Sequence, residues 1–177
     1  IMPRALAHLF TEIGNRTEYE FKVSVSYMEL YNERIFDLLN PENASQSSQF
    51  TIVENKNQKG TYVRGLTYRQ VDTEEDALKC LFEGSEVRTV AQHVLNTTSN
   101  RSHCIFTVYI EQKSRLGSAE KVTHSKLCLV DLAGSERLKK VDVSDPRSGN
   151  RAVDATIKRE SLYINKSLTY LEQCVVA

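Results

Sequence analysis

Residues 21–31, FKVSVSYMELY, alternate apolar and polar side chains and are rich in β-branched and aromatic residues. Successive side chains point to opposite faces of a β-strand, so this pattern predicts a strand with one face on a core. Further strands are predicted at 103–112 (HCIFTVYIEQ) and 124–133 (HSKLCLVDLA), joined by a link at 114–120 that is typical of a hairpin. Two shorter strands are predicted at 50–54 and 61–71, and polar loops at 40–49 and 134–152.

Helical patterns lie between and beyond these strands. A first helix is predicted over 3–14 and a last one over 153–177. Thr73, followed three residues later by Asp76, is typical of a helix N-terminus, because each side chain can satisfy a free backbone N–H there. Strands that alternate with helices of this length predict a layered α/β fold.

The composition limits the classes of protein to which the chain can belong. Its 177 residues suffice for one domain with a sizeable core. The 23 basic and 23 acidic side chains balance, which gives no general signal for nucleic acid, and no apolar stretch approaches the ~18 residues of a membrane span. The cysteines have no paired spacing and lie in apolar patterns, so we expect buried, reduced thiols in a cytosolic protein. They are Cys80, Cys104, Cys128 and Cys174.

A polar segment, NTTSNRSH (96–103), leads directly into the strand predicted at 103–112. It contains hydroxyls, amides and one arginine, Arg101, but neither Gly nor Pro. A glycine-free loop of hydroxyls and backbone amides suits a segment that orders around phosphate and Mg²⁺ and is released after hydrolysis.

A second segment, DLAGSE (131–136), follows a buried apolar strand. A carboxylate at a strand end, here Asp131, is well placed to hold Mg²⁺ through water, and Gly134 allows a backbone N–H close to a terminal phosphate. By itself, an Asp before a turn has the simpler explanation of ending a strand. Arg101 and Glu136 are oppositely charged and would close the two segments over the phosphate, the alternative being an ordinary exposed ion pair.

Four segments together resemble the kinesin motor domain. The family's switch I is matched by NTTSNRSH (96–103) and its switch II by DLAGSE (131–136). Its strand with the YNE sequence is matched by VSYMELYNERIFDLL (25–39), and its principal microtubule-facing helix by YINKSL (163–168). The segments occur in the family's order, and details such as SHCIFTVYIE and NKSLTYLEQ are most similar to the ninth, ciliary and flagellar kinesin class.

This resemblance implies a P-loop NTPase-like fold, a mixed central β-sheet flanked by helices, and an ATP-dependent microtubule motor that uses ATP and Mg²⁺. No G-x-x-x-x-G-K-[ST] sequence occurs, so residues 1–177 would be a partial motor domain, incomplete at both ends. The implied partner is tubulin, in the cytoplasm and cytoskeleton, without nucleic acid or membrane, and a homodimer would form through regions outside this chain. The sequence leaves open a nucleotide-independent microtubule-binding module, and more distantly another switch-type NTPase.

The resemblance also implies roles for single residues. Gly134 would contact the γ-phosphate, Asp131 and Ser99 would hold Mg²⁺, and Arg101 with Glu136 would form the closing salt bridge that orders the attacking water. The nucleotide would be bound by Asn96, Ser99, Asn100, Ser102, Asp131 and Gly134. Asn100 stands where the family has a serine, and an amide cannot supply a serine hydroxyl as metal ligand.

The last predicted helix has two distinct faces, and basic residues outnumber acidic ones between Arg137 and Lys166. An apolar face, expected to pack on the sheet, is formed by Ile157, Ile164, Leu168, Leu171 and Val175. The opposite face carries Arg159, Tyr163, Lys166 and Tyr170. With Lys139 and Lys140 this face is expected to dock on acidic tubulin, although a solvated helix face is the ordinary explanation.

Two further residues bear on the switch I segment. Arg88, in the helix that leads towards this segment, is expected to support it. His103 is the last residue of the segment, at the end of the strand predicted at 103–112, and we assign it no catalytic role.

Overall fold

The computed structural model describes residues 1–40, 42, 50–55, 60–95, 101–115, 122–135 and 151–176. In chain order the elements are α1 (Met2–Asn15), β1 (Tyr19–Tyr31), β2 (Arg34–Asp37), β3 (Thr51–Asn55), β4 (Gly60–Arg64), β5 (Arg69–Val71), α2 (Glu74–Leu95), β6 (His103–Ser114), β7 (Val122–Asp131) and α3 (Arg151–Val176). None of the described helices combines the length and apolarity that crossing a bilayer requires.

The long strand β1 organises the main sheet. β6 runs antiparallel beside it, from Tyr19 opposite Ser114 to Leu30 opposite His103. Along the other edge of β1, the first half pairs with β5 and the second half with β2. β7 pairs with the outer edge of β6, and β3 and β4 form a separate two-stranded sheet. The predicted strands at 21–31, 103–112 and 124–133 are therefore confirmed as β1, β6 and β7, with small shifts at their ends.

Two turns divide segments that the sequence pattern left whole. Asn32 and Glu33 have φ values of 51° and 61°, so the chain reverses there and forms β2, a strand that was not predicted. Positive φ at both central residues is the geometry of a two-residue hairpin turn whose twist matches its strands. The prediction of one strand over 61–71 is wrong, because Gly65, with φ 91°, separates β4 from β5.

The hydrophobic core lies between the main sheet and helices α1 and α2. Leu6 of α1, Val25 of β1 and Phe106 of β6 are completely buried. The Tyr27 ring meets Phe106 edge to face, with 5.4 Å between centroids, which is a favourable aromatic geometry. This packing fixes the β1–β6 pair whose ends carry the candidate site.

The start of α2 is fixed as the sequence predicts. Thr73 Oγ1 accepts the Asp76 N–H at 3.1 Å, and Asp76 Oδ2 accepts the Thr73 N–H at 3.1 Å. About two turns further along α2, a Cβ on Gly84 would lie 2.3 Å from a ring carbon of Tyr27. The glycine therefore allows α2 to approach β1 closely.

β7 and α3 are much more exposed than the core, and two expectations fail there. Cys128 on β7 and Cys174 on α3 are exposed, so the prediction of buried thiols holds only for Cys80 and Cys104. On the predicted apolar face of α3, Ile164 is buried. Leu171 and Val175 are 43% and 79% exposed. The hydrogen bonds and ion pairs described between α3 and the sheet come from Glu160 and Ser167, so the later turns of α3 extend past this contact.

Candidate nucleotide site and docking helix

The antiparallel pairing of β6 and β7 places the two predicted switch segments side by side. Cys104, near the start of β6, lies opposite Asp131, the last residue of β7. The end of the switch I segment and the beginning of the DLAGSE turn therefore meet where β6 begins and β7 ends. This end of the two strands carries Arg101, Ser102, Asp131 and Gly134.

Arg88 of α2 links the two segments directly. Its Nη1 lies 3.2 Å from Asp131 Oδ2, and its Nη2 donates to Ser102 Oγ at 3.3 Å. Its Nε forms an ion pair with the buried Glu29 at 3.4 Å. The predicted support of the switch I segment by Arg88 is confirmed at Ser102. The sequence did not indicate Glu29, whose buried carboxylate holds the guanidinium in place.

Arg101 has an acidic partner that the sequence analysis missed. Its Nη1 lies 3.0 Å from Glu160 Oε2 on α3, and the Tyr31 hydroxyl donates to the other oxygen of the same carboxylate. Burial, followed by the hydrogen bond and the charge of Glu160, raises the pKa of Tyr31 to about 12. Glu136 lies outside the described residues, so its pairing with Arg101 stays a prediction. The Glu160 contact shows that Arg101 reaches α3.

His103 connects the DLAGSE turn to α3. Its Nδ1 accepts the backbone N–H of Ala133 at 3.0 Å, and its Nε2 lies 2.8 Å from Ser167 Oγ. The Ser167 hydroxyl in turn donates to the carbonyl of Ile164 at 2.7 Å. Burial lowers the pKa of His103, with the Asp131 charge opposing this shift, so the neutral ring is favoured.

On the predicted docking face of α3, Tyr163 is half-buried and the other three residues are exposed, and each cation lies near an aromatic ring. The Arg159 guanidinium lies 5.6 Å from the Tyr163 ring centroid, and its Nε donates to the Tyr163 hydroxyl at 3.1 Å. Lys166 Nζ lies 5.8 Å from the ring centroid of Tyr170. These contacts hold two positive charges on one side of the helix, and the cation–π attraction offsets part of the side-chain entropy lost.

Several predicted site residues cannot be placed by this structure. Outside its described ranges lie Asn96, Ser99, Asn100, Glu136, Lys139 and Lys140.

Asp131 suits Mg²⁺ better than a metal that needs a full protein ligand set. Within the described ranges, no group of three or more His, Cys, Asp or Glu side chains could hold a metal. The side chain of Asp131 is 60% exposed. Mg²⁺ keeps several waters and binds through one or two carboxylates plus substrate phosphates. A single accessible carboxylate beside a hydroxyl-rich segment fits that requirement.

The family model of the kinesin motor domain matches residues 1–177. The chain belongs to the kinesin motor family. It is 46% identical to the human kinesin-like protein KIF9 and 44% identical to the kinesin-like protein KLP1 of Chlamydomonas reinhardtii, each over 100% of this chain. These two relatives agree with the resemblance to the ninth kinesin class. The chain spans about a fifth of the length of either relative (21%).

Solved kinesin structures confirm the fold class. A fast kinesin, whose structure is described with implications for ATPase mechanism and interactions with microtubules, matches with a TM-score of 0.71 and 37% identity. The match covers 83% of this chain and 40% of that one. The motor domain of the Kar3-like kinesin from Ashbya gossypii matches with a TM-score of 0.70 and 27% identity, over 96% of this chain and 44% of that one.

Proposed function

We propose that this chain is a partial motor domain of an ATP-dependent microtubule motor, containing switch I, switch II and the main microtubule-binding helix. The contact of Arg88 with both Ser102 and Asp131 carries this proposal. It joins the two segments that resemble the switches at the sheet edge where a nucleotide phosphate would bind. The chain is also similar to a fast kinesin whose structure is described with implications for ATPase mechanism and interactions with microtubules, and this similarity supports the same function.

In this proposal the protein supplies position and charge to phosphoryl transfer, without a covalent intermediate. Asp131 would hold Mg²⁺ through water, and the amide of Gly134 would contact the γ-phosphate. Ser102 and the predicted ligands of the switch I segment surround the nucleotide, with Ser99 near the metal. When bound with ATP, Mg²⁺ neutralises charge on the phosphate oxygens. Arg101 and Glu136 close the site and order the attacking water.

The second half of the proposal concerns the partner. Arg159, Lys166 and Tyr170 are exposed and form, with the half-buried Tyr163, a cation-bearing face on α3 that suits the acidic surface of tubulin. Lys139 and Lys140 extend this face in the proposal. The protein would then act on microtubules in the cytoplasm and cytoskeleton. Its similarity to the ninth kinesin class extends the proposal to the axoneme of a cilium or flagellum.

A charge-swap cycle in the complete protein tests the closing salt bridge. Arg101→Ala should lower microtubule-stimulated ATP turnover by orders of magnitude while nucleotide still binds. Exchanging the charges, with Arg101→Glu and Glu136→Arg together, should restore part of the loss, since contacting residues are non-additive. Glu160→Gln is the matched control, because it removes the charge of the other acidic partner of Arg101 and leaves Glu136 in place. Additive effects of the two single changes would show that Arg101 and Glu136 do not meet.

A salt series tests the docking face. Co-sedimentation with microtubules should weaken as salt rises, because the Debye length falls to ~8 Å near 0.15 M. Replacing Lys139, Lys140, Arg159 and Lys166 with Ala should lower the affinity and flatten this dependence. Lys79→Ala, an exposed cation on α2, is the control. If binding and its salt dependence are unchanged, the cations of α3 belong to a solvated face. If microtubule affinity is the same with and without bound nucleotide, the nucleotide-independent module is favoured.

A further inference from the structure

We propose that His103 and Ser167 are a positioning pair that couples the switch II turn to the docking helix α3, an inference that rests on the proposed function. A continuous series of hydrogen bonds runs from the Ala133 N–H through the His103 ring to Ser167. It ends at the Ile164 carbonyl of α3. Ala133 lies between Asp131 and Gly134, the proposed metal and phosphate residues. Ser167 follows Lys166 of the docking face.

The direction of every bond in this series is fixed. A backbone N–H only donates, so His103 Nδ1 is the acceptor from Ala133. The Ser167 proton points to the Ile164 carbonyl at 2.7 Å, so Ser167 Oγ accepts from His103. The Nε2 atom of His103 must therefore carry the ring proton. The imidazole ring carries its acceptor and its donor at two separate positions of one rigid plane. Asparagine or lysine at position 103 lacks that arrangement and could not contact both the Ala133 N–H and Ser167 Oγ.

Burial makes this link stiff. His103 is 7% exposed and Ala133 is 4% exposed, so water does not readily replace either partner. Leaving the Ala133 N–H without its acceptor is therefore unfavourable. His103 is also fixed at the start of β6 by its pairing with Leu30 of β1. A displacement of the Asp131–Gly134 turn consequently moves the donating Ala133 N–H against a ring that α3 also holds.

The contact of Arg101 with Glu160 does not duplicate this link. It joins Arg101 to α3 about two helical turns before Ser167, whereas His103, the last residue of the same switch I segment, also contacts the main chain of Ala133 in the switch II turn. Of these two contacts, the one through His103 reaches the switch II turn. A change at Ser167 therefore tests the switch II connection separately.

The test compares two hydroxyl deletions on α3 in the complete protein. Ser167 Oγ and Thr169 Oγ1 both donate to a carbonyl of the same helix, at 2.7 and 2.9 Å, but Ser167 also contacts His103. Ser167→Ala should lower the ratio of microtubule-stimulated to basal ATP turnover by about three- to tenfold, the factor expected of one net hydrogen bond. Thr169→Ala should leave the ratio within about twofold, and Ser167→Thr, which keeps the hydroxyl, should restore it.

Substitutions at His103 separate the two ends of the link. His103→Gln keeps a donor near Ser167, and His103→Asn keeps an acceptor near Ala133, so each should lower the ratio. Combining His103→Asn with Ser167→Ala should add little beyond the larger single effect. The microtubule affinity should also lose part of its difference between the ATP-analogue and ADP states in each variant.

Two results would overturn the coupling role. One is a wild-type ratio in Ser167→Ala, and the other is a lowered melting temperature with an unchanged ratio, which is the signature of a purely structural contact. A wild-type protein without any microtubule stimulation would instead overturn the proposed function, and the coupling with it. Stimulation in the wild type with no effect at Ser167 would reject the coupling alone.

Discussion

The two sides of the β6 strand are stabilised in different ways. Towards β1, α1 and α2, side chains such as Leu6, Val25 and Phe106 are completely buried and pack against one another. Towards β7 and α3, most residues are exposed, and α3 is tied to the sheet by polar contacts at Glu160 and Ser167 around the buried Ile164. Apolar packing fixes the sheet that carries the site, whereas a few directional bonds hold the helix proposed to respond to it. Close packing tolerates little displacement in any direction, whereas a contact made by a few hydrogen bonds depends on the geometry of each bond.

The largest difference is expected between a core residue of β6 and an exposed residue of β7. Phe106→Ala should destabilise the protein by about 3–5 kcal/mol, because it removes a completely buried ring that packs on Tyr27. Val130→Ala, at a side chain that is 49% exposed, should cost less than about 1 kcal/mol. Urea unfolding of both variants measures the contrast. Equal losses would show that the β7 side is as well packed as the core.

Gly84 tests how closely α2 lies on β1. Gly84→Ala should cost about 1–3 kcal/mol, since the new Cβ would overlap the Tyr27 ring, which is itself buried. Gly14→Ala is the matched control on α1, because nothing lies within 4 Å of its added Cβ. Thermal melts should separate the two variants clearly. A neutral Gly84→Ala would mean that α2 can move away from the sheet at little cost.

On the polar side, Tyr31→Phe should cost about 1.5 kcal/mol, the low end for a hydrogen bond to a charged group, because Tyr31 is partly exposed. The folded-state pKa of Tyr31 is raised from 10 to about 12, so the folded protein holds this proton more tightly than the unfolded chain. The contribution should be fully present below pH 10 and lost as the pH rises towards 12. Unfolding measured across that range should show a steeper loss in the wild type than in Tyr31→Phe. Tyr163→Phe, which loses only an exposed contact, is the control.

The smallest effect is expected at the end of α3. Leu171 is 43% exposed, so Leu171→Ala should change the free energy of unfolding by less than about 0.5 kcal/mol. The measurement is again urea unfolding, beside Phe106→Ala. A loss of several kcal/mol at Leu171 would show that this face of α3 is covered in the protein and would remove the contrast between the two sides.

The parts of the fold that were predicted correctly depend on neighbours in the sequence. Alternation in 21–31 predicts β1 because side-chain direction in a strand has a period of two residues. The Thr73 and Asp76 pair predicts the start of α2 because both bonds form within one turn. The turn at Asn32 and Glu33 was missed because it contains no Gly, the usual signal of a hairpin with positive φ.

The candidate site was predicted in its segments but not in its contacts. The switch segments and the cationic face of α3 follow from local patterns. Glu160, which binds Arg101 from 59 positions away, has no local signal, and neither does Glu29 as the partner of Arg88. The exposure of Cys128 and Val175 was also beyond prediction, since an apolar pattern shows which face should be covered and not whether an element covers it.

The pairing of β1 with β6 also determines the order in which the chain can fold. During synthesis β1 appears before β6, and β2 to α2 must all follow it before β6 is available. The local β1–β2 hairpin can form at once, whereas the central pair requires closure of a long loop, and such non-local pairings form slowly. Until then the edge of β1 that pairs with β6 presents unpaired backbone N–H and C=O groups and is open to pairing with other chains. The strand at the centre of the finished sheet is therefore open to aggregation in the nascent protein until β6 has been made.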